Sequence, residues 1–104
     1  VKPPIADLPP QVRVGPYDFS LERVPNAALP EDAFGQCDSR RQVISISEEC
    51  FGALLVDVVL HELTHALWWT CGIGYEGVEE RAVCGLSTGW TQVWRDNPRL
   101  LAWM

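Results

Sequence analysis

The chain is predicted to fold as a small α+β domain, a twisted antiparallel or mixed β-sheet packed on two helices. Three observations point there. Strand-like alternation is confined to the first half, helical periodicity to the second, and 104 residues suffice for one modest core but not two. Composition agrees: hydrophobic and charged residues, at 47% and 21%, sit near the globular norm, and five tryptophans bring large apolar area to a thin core.

Taken in order, residues 1–11 open with "VKPPIADLPP", whose prolines make an extended arm and forbid a helix, leaving 12–104 as the single domain. "VRVGPYDFSLERV", residues 12–24, sets Tyr17, Phe19 and Leu21 against Asp18, Ser20 and Glu22. That is the period of a half-buried strand, with a kink or edge position at Gly15-Pro16. Residues 25–41 are rich in turn formers without a sustained period and are expected to be a loop; "QVISIS", residues 42–47, is β-branched and alternating and is the second strand.

The first helix is expected to begin at Ser47, whose hydroxyl can cap it, with Glu48 and Glu49 suited to the positive end of its dipole. From Phe51 to about Trp69, Leu54, Leu55, Val58, Val59, Leu63, Ala66 and Leu67 recur at steps of three and four, and "CGIGYEG" ends the run. A second helical pattern runs from about Val78 to Arg95 and halts at Asn97-Pro98. With Val78 at zero, Ala82, Val83, Leu86, Trp90 and Val93 fall between roughly 40° and 140°; Glu79 lies near 100°, inside that stripe, and Glu80 near 200°, away from it. "PRLLAWM" closes the chain as a short helical or extended tail packing Leu101 or Trp103.

Charge excludes some functions. Fourteen acidic against eight basic residues, with Lys2 the only lysine, argue against a nucleic-acid or phosphate surface. The longest apolar run, "FGALLVDVVL", is broken by Asp57 and is too short to span a membrane, so a water-soluble monomer is expected. Cys37, Cys50, Cys71 and Cys84 form no CxxC pair, which argues against a structural zinc ribbon. They read as reduced thiols of an intracellular, cytoplasmic protein ahead of a disulfide framework or a secreted one.

The chain's only two histidines stand in "LHELTH", residues 60–65. His61 and His65 share one helix face, where two imidazoles can reach a single Zn²⁺. Glu62 projects roughly 100° further round, placed to take a proton from a zinc-bound water and pass it to a leaving group. The plainer alternative, two histidines meeting polar demand on a helix, does not account for three chemically matched residues inside an otherwise apolar helix. A catalytic zinc needs a third protein ligand and an open position. Glu79, a carboxylate on an apolar stripe, is the first candidate; Glu80, Glu76 and Cys71 are the alternatives, and a solvated Glu79 serving only the helix dipole is the competing role.

"VVLHELTHAL" resembles the zincin metallopeptidase signature, and "EERAV", residues 79–83, is similar to the glutamate helix of the gluzincin branch. Over about residues 12–103 the layout resembles small phage-encoded single-domain proteins related to the ImmA/IrrE and minigluzincin types. The resemblance implies a minimal zincin fold and a zinc peptidase acting on a peptide or protein in a host cytoplasm, with His61, His65 and Glu79 as ligands and Glu62 as the general base. It also implies that "QVISIS" is the edge strand that holds an extended peptide. The metzincin pattern is disfavoured by Trp68 and Cys71. No histidine outside the motif can stabilise an oxyanion, which leaves Tyr75, Tyr17 or Arg81 for that task. The rival functions are a zinc-stabilised binding module without turnover and a phage regulatory protein engaging a protein partner.

Overall fold

A computed structural model of the chain describes residues 8–70 and 79–104, excluding the side chains of residues 79–84 and 87. The alternating first half forms a four-stranded mixed sheet, and the periodic second half forms helices laid on it. Strands β1 (Gln11–Val14) and β2 (Tyr17–Val24) pair antiparallel with Val14 opposite Tyr17, so the stretch expected to be one kinked strand is a hairpin. Gly15 adopts φ +59° ahead of Pro16, which suits a two-residue turn that needs a positive φ at its first position only. The turn also switches the inward positions from Val12 and Val14 to Phe19 and Leu21, from even to odd numbers.

Residues 25–41, expected to be a loop, contain a short 3₁₀ turn at Asn26–Ala28 and a strand, β3 (Gly35–Asp38). β3 turns back through residues 39–42 to pair antiparallel with β4 (Val43–Ser47), which lies parallel to β2. The sheet order is therefore β1-β2-β4-β3. This corrects the placement of "QVISIS": β4 has hydrogen-bonded neighbours on both sides, and the edge beside the long helix is β3. The reason lies in connectivity, since a parallel β2–β4 pair needs a crossover and β3 is part of it.

The long helix, α1 (Gly52–Thr70), starts five residues later than expected. Ser47 ends β4 and builds a turn instead of a cap: its hydroxyl donates to Asn26 Oδ1 at 2.9 Å and accepts from the Glu49 amide at 3.1 Å. Arg23 secures this junction, one guanidinium nitrogen donating to the carbonyls of Ser47 and Cys50 at 2.8 Å each. Replacing Arg23 by Met is expected to cost about 2 kcal/mol, the scale of hydrogen bonds made by a charged donor, measured by denaturant unfolding. An unchanged midpoint would show that the junction holds without it.

Leu55, Val58, Val59, Leu63, Ala66 and Leu67 of α1 pack on the sheet face formed by Val12, Val14, Phe19, Leu21, Ile44 and Ile46. Helix α2 (Glu79–Asp96) and α3 (Pro98–Trp103) add Val93 and Leu100 to that core. Leu101, one of the two residues expected to pack the tail, is exposed, whereas Trp103 is partly buried against the core. The Gln92 and Asn97 side chains bond the backbone of Arg13 and Gly15 along β1, so that margin of the sheet is covered. Cys37 and Cys50 are free thiols; the side chains of Cys71 and Cys84 lie outside the described residues. Among the described residues, no helix is long and apolar enough to cross a membrane.

Candidate metal centre

Helical geometry alone brings His61 and His65 together. Their rings stand one turn apart on α1 with centroids 4.9 Å from each other and planes at 75°. Both are exposed, and neither makes a hydrogen bond to another residue among those described, so their nitrogens are free to bind. Glu62 turns inward between them and is only 6% exposed. The donor atoms of the three residues nonetheless lie within 4.8 Å of one another. The group has the composition and spacing of a metal site of two histidines and one glutamate.

The inward turn of Glu62 depends on β3. Gly35, the first residue of that strand, lies so close to α1 that a Cβ there would stand 2.9 Å from Val58 Cγ1 and 3.0 Å from both Glu62 Cγ and Oε2. A glycine is thus required by close approach, and the room it leaves is taken by the carboxylate. Burial pushes the Glu62 pKa above its ordinary 4.5, while the nearby imidazoles of His61 and His65 pull it back in part. Cys37, also on β3, feels the same carboxylate. Burial chiefly raises its thiol pKa, the Ser39 hydroxyl lowers it, and the Glu62 charge adds to the rise.

His61 also borders a cleft of about 210 Å³ whose other walls are Phe34, Leu54, Asp57 and Val58. The structure therefore unites His61, Glu62 and His65 as the spacing predicts, and it adds Gly35, Cys37 and Asp57 to their surroundings. Sequence reasoning missed these three. Asp57 carries a signal, standing one turn before His61, although by hydropathy it is only an interruption of an apolar run. Gly35 looked like any loop glycine.

The other expectations divide. Tyr17, one of the oxyanion candidates, packs its ring on Trp69 with centroids 5.1 Å apart, one turn beyond His65. Glu79 is the first residue of α2, which packs against α1. The side chains of Glu79, Glu80, Glu76, Cys71, Tyr75 and Arg81 lie outside the described residues. No family model matches the chain, and comparison with curated proteins and with solved structures likewise finds no match.

Proposed function

We propose that the chain is a zinc-dependent peptidase in which His61 and His65 hold the metal, Glu79 supplies the third ligand and Glu62 is the general base. One observation carries this reading: a buried carboxylate is held within 4.8 Å of two exposed imidazoles on one helix, neither hydrogen-bonded to another of the described residues. A purely structural zinc site has no use for such a base. The donors would suit zinc, because imidazole nitrogen and carboxylate oxygen are among its usual ligands and the ligand atoms of His61, Glu62 and His65 already lie within 4.8 Å of one another.

A zinc ion supplies Lewis acidity, making water a nucleophile near neutral pH and polarising a carbonyl. Glu62 accepts the proton that the attacking water loses and returns it to the amine as the C–N bond breaks. Its burial supports both halves of this exchange, since a carboxylate whose pKa is raised towards the working pH is a better proton shuttle than a solvated one. The substrate would lie along β3, whose outer edge has no strand partner among the described residues, and which borders the site in the way expected earlier of "QVISIS". Tyr75 remains the candidate for stabilising the oxyanion.

The test begins with metal content. Purified protein should bind one zinc ion per chain, and His65→Ala should lose it; Glu79→Ala should weaken binding by at least tenfold in a competition titration with a chromophoric chelator. Undiminished zinc affinity in Glu79→Ala would move the third ligand to Glu80, Glu76 or Cys71. Zinc bound without hydrolysis of any unstructured peptide would leave only a metal-stabilised binding module.

A further inference from the structure

The cleft beside His61 has a distribution of chemistry that the metal site does not use. Phe34, which precedes β3, and Leu54 and Val58 on α1 make its walls apolar; Phe34 and Leu54 remain 47% and 44% exposed. Among the described residues, Asp57 is the one acid lining it, and no lysine or arginine does. Asp57 is exposed and enters no hydrogen bond or ion pair with the described residues, so its charge is not spent inside the fold. An apolar trough with one free carboxylate complements a side chain that has an apolar stem and a cationic head. The exposed Phe34 ring adds a face on which such a cation can rest. A formal charge of −6 favours the approach of a basic ligand.

We propose that this cleft receives a lysine or arginine side chain of the peptide, its stem against Phe34, Leu54 and Val58 and its cation at Asp57. The term substrate for that peptide rests on the peptidase reading; the side-chain preference is argued from Asp57 and the apolar walls, although His61 also lines the cleft, which is why the metal-free chain is titrated beside the zinc-loaded one. A competing role for Asp57 exists. It lies one turn before His61, and a carboxylate can orient a metal-binding imidazole.

The experiment titrates the whole chain, metal-free and zinc-loaded, with N-acetyl-arginine amide, N-acetyl-lysine amide and N-acetyl-norleucine amide, following chemical shifts of cleft residues. The two cationic amides are expected to bind about fivefold more tightly than the norleucine amide, as for a surface ion pair at the upper end of its range, with the ratio shrinking as salt is raised. In Asp57→Asn the ratio should fall to about one while zinc affinity stays as in the parent. Equal binding of all three amides by the parent would overturn the proposal, as would a ratio that survives in Asp57→Asn. Loss of zinc affinity in that variant with the ratio unchanged would assign Asp57 to His61 instead. If the protein neither binds zinc nor cleaves peptides yet keeps the amide preference, the peptidase reading fails and the cleft assignment stands.

Discussion

Glu62→Gln is expected to keep its zinc and to lose peptide hydrolysis by about 10²–10⁴-fold, the range that a positioned general base contributes. Gln matches Glu in shape, so the contact with Gly35 survives, but its amide cannot accept the proton that the attacking water must lose. The measurement is kcat/KM at saturating zinc beside metal content. Equal rates in the two proteins would remove Glu62 from the chemistry.

The same substitution has a second signature in the metal-free protein. Because burial raises the pKa of Glu62 in the fold above 4.5, the folded chain binds this proton more tightly than the unfolded chain does. The contribution to stability is complete below the ordinary carboxylate value and is lost as pH rises through the raised one. Metal-free parent should therefore melt lower at pH 7 than Glu62→Gln, with the difference vanishing near pH 4. Thermal melts across that window decide the matter; a variant that melts lower than the parent at pH 7 would mean that burial is not what governs this carboxylate.

Gly35→Val should be the most damaging single change outside the motif. Even the first carbon of the new side chain would fall 2.9 Å from Val58 Cγ1 and 3.0 Å from the Glu62 carboxylate. Val58 cannot retreat, since α1 is fixed by Val59, Leu63, Ala66 and Leu67 in the core. Relief must come from β3 lifting away or from Glu62 swinging out. The first costs about 1–3 kcal/mol of stability, and the second displaces the proposed base, for which an ångström would be worth about 10²-fold in rate. Gly35→Ala meets the same clash with one carbon and should show a smaller version of both losses. Parent-like stability and turnover in the valine variant would mean that the strand and helix are less closely apposed than described.

What could be read from the sequence follows how local each feature is. The His61–His65 pair needs only the helical repeat, so the motif specified it directly. The buried stripe of α1 was equally plain. The β1–β2 hairpin reads as a kinked strand from the Gly15-Pro16 pair alone, yet apolar positions change parity across that pair, which a kinked single strand would not do. β3 could not be seen, because "GQCD" offers four residues with no apolar alternation and owes its existence to pairing with β4. Ser47 and the two acids after it have the composition of a helix start, yet Asn26 and Arg23, more than twenty residues away, hold that segment in a turn. Gly35 and Cys37 beside Glu62 are products of the crossover alone. Helical angle places Glu79 on a stripe of α2 but says nothing of how that stripe faces α1.

The centre is assembled from parts of unequal permanence. The paired imidazoles need only one helix, while the dry surroundings of Glu62 are borrowed from a four-residue strand at the rim of the sheet. Such rims are the first segments to fray, and fraying here would hydrate the carboxylate and restore an ordinary proton affinity without touching the histidines. On the peptidase reading proposed above, brief excursions of that kind would leave a chelator that still grips its ion and has stopped being a catalyst.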